Sequence, residues 1–266
     1  MIAIFKDNFK KRLKTMLGVD FRRMLTSPLV YIMLAISLVM PILILVMTSM
    51  MDGMVTVDPQ TGAETKMEGF KNVWQIIGAV SGGESAMSFD IASMCNINLM
   101  FFFIAIFVCI FVSSDFSSGY AKNLFTVRAN KDDYVISKSI VTFCAGASML
   151  VAFFLGAMIG GAIAGLPFTL EGATAGNVIA CLLSKLFLVA IFVAIYVLAS
   201  VVAKQRLWLS LLIAFGISML MFTMIPIITP LNSGILNVIL CLVGSAIFSI
   251  GIGIGSYFVL KKTNIL

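Results

Sequence analysis

Apolar residues fall along this chain in six long, nearly unbroken runs, at about 29–50, 96–113, 140–166, 177–203, 207–228 and 235–260. Within each run the apolar character is continuous and does not alternate, which suits a helix in lipid and not a strand of a barrel. A helix rises about 1.5 Å per residue, so about 20 residues cross the roughly 30 Å hydrocarbon layer of a bilayer. Each run therefore predicts a membrane-spanning helix, the longer ones tilted or reaching into the headgroups. A different pattern precedes the first run. Phe5, Phe9, Leu13, Met16, Leu17, Phe21, Met24 and Leu25 recur every three or four residues, with Lys and Arg on much of the remaining face. That spacing predicts an amphipathic helix lying in the membrane interface. The expected fold class is an all-α integral membrane protein: an interfacial helix in residues 1–27 and six transmembrane helices in residues 28–266.

Between the first two runs lies a loop of about 51–95, rich in acid: Asp52, Asp58, Glu64, Glu68, Glu84 and Asp90. A short amphipathic stretch around 70–80 contains Trp74, a residue type at home at membrane interfaces, and is expected to lie flat on the leaflet. The other loops on that side are short.

Composition supports lipid as the solvent. Hydrophobic residues make up 61% of the 266 and charged ones 11%, against about a half and a quarter in soluble domains. The net charge of +6 does not point to nucleic acid, because the basic residues flank apolar runs. With six spans, 15 of the 18 fall on one side of the membrane, in the N-terminal segment, the second and fourth connections and the tail. Only Lys66, Lys71 and Lys185 fall on the other. That bias predicts a multi-pass protein with both termini in the cytoplasm. The first run starts only near Pro28, behind a long basic segment, so no cleavable leader is expected.

Candidate chemistry is sparse. The chain has no histidine, which removes the commonest metal ligand, zinc-protease motifs and any His-dependent triad. Its five cysteines are scattered without a CxxC pair and read as small buried hydrophobes, so no metal site is expected. No GxxxxGK[ST] loop is present, so the chain is not expected to hydrolyse ATP. Glycines cluster in the third run (Gly156, Gly160, Gly161, Gly165) and the sixth (Gly244, Gly251, Gly253, Gly255), suiting either close packing within the chain or a dimer seam. Pro41 interrupts the first run, and Pro226 and Pro230 the end of the fifth, where they disturb helical hydrogen bonding and fit a simple turn. Lys185 is the one charge well inside a run. At the bilayer centre it would cost roughly 2.5 to 3.5 kcal/mol, so it either snorkels to the interface, pairs with a loop acid or lines a substrate pathway.

The most informative stretch is the connection after the second run, about 114–138. Phe116, Tyr120, Leu124 and Val127 give helical spacing, and Asn130, Lys131, Asp132 and Asp133 read as a turn with capping residues before the next helix. Here Asp115, Gly119, Lys122, Arg128, Tyr134, Ser137 and Lys138 stand in a pattern that resembles the permease subunits of type-two ABC exporters. The overall layout resembles them too, especially permeases of bacteriocin self-protection and peptide export in Gram-positive bacteria. Where that family often has Glu and a Gly-Thr pair, this chain has Asp115 and Gly119-Tyr120.

The resemblance implies a transmembrane subunit of an ATP-driven exporter in a bacterial cytoplasmic membrane. Its cargo would be an amphipathic or hydrophobic substrate such as an antimicrobial or other peptide, a link to antimicrobial resistance. It implies that 114–138 holds a coupling helix that inserts into a separate ATP-binding subunit, which binds ATP and Mg. Asp115, Phe116, Gly119, Tyr120, Lys122, Arg128 and Lys138 would form the coupling region, with Asp115 bracing the helix, Gly119 permitting close packing, and Lys122 and Arg128 meeting acidic residues or lipid phosphates. Phe5, Phe9, Leu13, Leu17 and Phe21 would anchor the N-terminal elbow helix in lipid, and a second permease would complete a homodimer or heterodimer. Two other classes stay open from the residues alone: an ion-coupled secondary transporter, disfavoured because the runs hold no acid, and a membrane sensor or scaffold.

Overall fold

The computed structural model describes residues 2–57, 64–66, 69–78, 95–127, 131–169, 174–204, 206–222 and 224–262. Arg128, Asn130 and the loop acids Asp58, Glu68, Glu84 and Asp90 lie outside them, as does the side chain of Phe5. The described chain is almost entirely helical: α1 (Ile2–Thr26), α2 (Pro28–Met51), α3 (Met100–Ser117), α4 (Tyr120–Val127), α5 (Asp132–Ala164), α6 (Ala175–Ala203), α7 (Leu207–Phe222), α8 (Met224–Ile228) and α9 (Ile235–Lys262). Two three-residue strands, β1 (Val55–Val57) and β2 (Glu64–Lys66), pair antiparallel in the first long loop.

Among the described residues, five helices are long and apolar enough to cross a membrane: α2, α3 with the turn before it, α5, α6 and α9. The fifth apolar run falls short of the expected single helix. It forms α7, 16 residues and so about 24 Å, followed by the five-residue α8 that contains Pro226. Proline has no N–H for the helical ladder, which fits the division of this run.

Local chemistry sets the helix ends. Pro28 opens α2 at the first helical position, where its missing N–H costs nothing. Thr174 and Asn177 form a reciprocal capping box at the start of α6. Gly165 ends α5 at φ +68°, and the Leu166 N–H returns to the Gly161 carbonyl at 3.0 Å. At the start of α5, however, Lys131 makes no side-chain cap, and Asp133 turns instead to Arg12.

α3 is the most enclosed span, with 67% of its apolar window buried, and α9 the least, with 11%. The glycines divide accordingly. A Cβ on Gly156 would stand 2.1 Å from the Leu38 carbonyl oxygen, and one on Gly160 2.7 Å from the Ile42 Cα, so α5 lies directly against α2. Gly244, Gly251, Gly253 and Gly255 of α9 face open space, so within the described chain they pack against nothing.

The stretch containing Trp74 does not lie free on a surface. Residues Val73–Ile76 form a 3₁₀ turn capped by Asn72. Phe70, Val73, Ile76 and Ile77 are buried, Val73 sits over Gly161, and the Trp74 indole N–H donates to the Phe168 carbonyl at 2.6 Å. The same amphipathic spacing serves a protein surface as well as a lipid one, and here α5 supplies the apolar partner.

Candidate functional site: a buried charge junction

α1 folds back along the start of α5, which brings Arg12 to Asp133 and sets Arg23 beside Asp20 and Asp115. Met16 and Met24 are buried in the core and Leu17 and Phe21 pack against it, while Leu13 is half-buried and Phe9 and Leu25 stay exposed. Part of the predicted lipid-facing stripe is thus spent on the chain's own core. In the middle of that stripe, at helical spacing between Met16 and Met24, stands Asp20, fully buried.

Asp20 is held by two groups of α5. Ser137 donates its hydroxyl to Oδ2 at 2.6 Å, and the Lys138 ammonium lies 2.8 Å from Oδ1. Lys138 also reaches Oδ2 of Asp115, near the end of α3, at 2.7 Å. Asp115 accepts the Tyr134 hydroxyl at 3.0 Å and pairs through Oδ1 with Nη2 of Arg23 at 2.7 Å. Arg23 also lies 3.8 Å from Asp20. Two carboxylates and two cations thus form one neutral cluster joining α1, α3 and α5. A further pair, Arg12 Nε to Asp133 Oδ2 at 3.0 Å, ties α1 to the first turn of α5.

Aromatic rings bring α4 into the same junction. The Arg23 guanidinium lies 4.1 Å from the Tyr120 ring centroid, and the Lys138 ammonium 4.3 Å from that of Phe111. Tyr134 meets Phe116 and Phe125 edge to face at 6.2 and 5.3 Å. Burial works to lower the Arg23 pKa, but the charge and hydrogen bond of Asp115, with Tyr120 and Asp20, together outweigh it and raise the pKa, so the guanidinium is held charged. The Lys131 ammonium donates to the Leu260 carbonyl at 2.7 Å, which fastens the α4–α5 turn to the C-terminal turn of α9.

The predicted coupling residues therefore separate into two groups. Asp115, Phe116 and Lys138 are buried at the junction, with Tyr120 at its rim; Lys122 is exposed on α4. The sequence pattern does not single out Asp20, and it shows Arg23 only as a basic flank. The available signal is an acid on the apolar stripe of a basic helix. Asp115 also corrects the expectation that no buried acid stands in the spans.

A Cβ on Gly119 would meet nothing within 4 Å, so close packing inside the chain is not its role. Its φ of +74° is: the backbone turns through the left-handed region between α3 and α4. Gly119→Asn is expected to be tolerated, since Asn visits this region, whereas Gly119→Val should cost about 1–2 kcal/mol. Thermal unfolding of the purified variants checks the difference.

Lys185 does not snorkel. It is fully buried in α6, and its ammonium donates to Asn98 Oδ1 at 2.8 Å and Thr229 Oγ1 at 3.0 Å.

A family model described as ABC-2 family transporter protein matches residues 21–221, about three quarters of the chain. No curated protein and no solved structure gives a match. The matched stretch contains Arg23, Asp115, Lys138 and Lys185; Asp20 lies one residue before it.

Proposed function

The chain belongs to the ABC-2 transporter family, whose membrane subunits work with an ATP-binding partner, and we propose that it is one permease of an exporter built from two permeases and two ATP-binding subunits. In this reading α7 and α8 complete a sixth crossing, and both termini lie in the cytoplasm of a bacterial cell, on the basic side. α4 is the coupling helix. Lys122 and Arg128 meet acidic residues of the partner, Tyr120 is the contact of α4 with the junction, and Asp115 and Lys138 behind it carry the movement into α3 and α5. Gly119 sets the angle at which α4 leaves α3, and α1 is the elbow that moves with the junction. The cargo is an amphipathic or hydrophobic molecule, an antimicrobial or other peptide being the leading class.

The observation that supports this most is the single cluster of Asp20, Arg23, Asp115 and Lys138. Opposite charges buried together fix the registry of the elements that carry them more than they add net stability. A displacement of α4, carried by Tyr120 against Arg23 and by Phe125 against Tyr134, then reaches α1, α3 and α5 together. Ion-coupled transport is less favoured, because both carboxylates of the cluster are already matched by cations.

Affinity purification of the tagged chain from its native membrane in mild detergent, with mass spectrometry of the eluate, tests the reading. A stoichiometric ATP-binding subunit is expected, and Lys122→Glu should reduce its recovery without lowering the yield of folded permease. A folded permease that elutes alone, in a detergent that preserves other complexes of this class, would refute it.

A further inference from the structure

Lys185 is treated differently from Lys138, the other buried lysine among the described residues. Lys138 has two carboxylates within 2.8 Å. Among the described residues Lys185 has no carboxylate partner, only the two neutral oxygens of Asn98 and Thr229. A buried cation in such surroundings is costly unless paired.

The unused hydrogen-bonding capacity here is all of one kind. An ammonium has three N–H donors, and two are taken. The Asn98 side chain gives its oxygen to Lys185, which leaves its amide nitrogen, buried and without a partner among the described residues. The Thr229 hydroxyl donates to the Ile225 carbonyl at 2.8 Å, so toward Lys185 it can only accept. Among the described residues the site therefore has donors to spare and no acceptor with negative charge.

A cover closes it. Asn177, Cys181 and Lys185 stand four residues apart on one face of α6, and each bonds to the chain between Thr229 and Ser233. Asn177 donates to the Ser233 carbonyl at 3.0 Å, Cys181 to the Thr229 carbonyl at 3.4 Å and Lys185 to the Thr229 hydroxyl. This segment follows α8 directly and carries Pro230, and these three side-chain bonds hold it to α6.

We propose that Lys185 and Asn98 bind an anionic oxygen group, carboxylate or phosphate, at the head of an amphipathic ligand that displaces the Thr229 hydroxyl. Charge-assisted hydrogen bonds from Lys185 and the Asn98 amide hold the head group. The apolar helices around it receive the tail. This deepens the transporter reading by naming a cargo chemistry, and it is tested without the ATP-binding subunit, so either idea can fail alone.

The test is equilibrium binding of dodecanoate, dodecyl phosphate and uncharged dodecanol to the full-length protein in phosphatidylcholine nanodiscs. The wild type should bind at least one anion about tenfold or more tighter than dodecanol, the scale of a hydrogen bond to a charged group. Preference for dodecanoate alone assigns a carboxylate, for dodecyl phosphate alone a phosphate, and for both the anionic oxygen in general. Lys185→Met should abolish the preference while leaving dodecanol binding unchanged. Thr229→Val, which frees the ammonium from its competing acceptor, should tighten anion binding and serves if Lys185→Met does not fold. Equal affinity for dodecanol, a preference that survives Lys185→Met, or anion binding not tightened by Thr229→Val would overturn the proposal.

Discussion

Lys138→Met should destabilise the protein by about 3–5 kcal/mol, the usual consequence of removing one member of a buried ion pair. Methionine keeps the length and packing of the side chain, so the effect isolates the charge. Without the ammonium, Asp20 and Asp115 face each other with only Arg23 between them. Arg23 lies 3.8 Å from Asp20, and its side chain is 31% exposed, so it cannot replace a contact at 2.8 Å. Thermal unfolding in a nonionic detergent should show a fall on the order of 10 °C. Adding Asp115→Asn to Lys138→Met restores charge balance and should recover a substantial part of the loss, although each change alone is harmful. Lys122→Met, which removes an exposed charge, should stay within about 0.5 kcal/mol of the wild type. A wild-type melting curve for Lys138→Met would show that the junction holds nothing together.

The contrast between those lysines marks where sequence reasoning succeeds and where it stops. The apolar runs locate the helices because lipid imposes a length and a composition that few other environments tolerate. Part of the charge junction is legible, because the sequence pattern marks Asp115, Tyr134 and Lys138, and the fold brings these three together. Asp20 is not, because a lone acid in a basic segment reads as solvated until α1 is known to fold back on α5. That contact spans more than a hundred residues, and no local pattern encodes it. Trp74 and its neighbours show the same limit: periodicity reveals an apolar face but not whether lipid or protein covers it. Lys185 is visible as an anomaly, yet its surroundings come from α6, the turn before α3 and the segment after α8, and only the fold brings them together.

The glycines carry the second large prediction, because similar spacing has opposite meanings in two helices. A side chain at Gly156 would meet the Leu38 carbonyl oxygen at 2.1 Å and the Pro41 Cγ at 2.7 Å. The nearest of these atoms is backbone, so it yields only if α2 moves as a whole. Gly156→Ala should therefore cost about 1–3 kcal/mol, the range for overpacking a tight core, and Gly156→Leu more. At Gly251 of α9 nothing stands within 4 Å of a Cβ. There Gly251→Ala should be neutral or stabilising by up to about 1 kcal/mol, because alanine is the better helix former. Thermal unfolding of the two alanine variants side by side tests a difference in sign as well as in size. The outcome also bears on the junction. α5 presents Gly156 and Gly160 to α2 and, about five turns earlier, Ser137 and Lys138 to Asp20. If α2 and α5 move as one body, Gly156→Ala should lower stability without disturbing the ion pairs. If they slide, the same substitution should weaken the hold of α5 on α1, and combining it with Lys138→Met should cost less than the sum of the two.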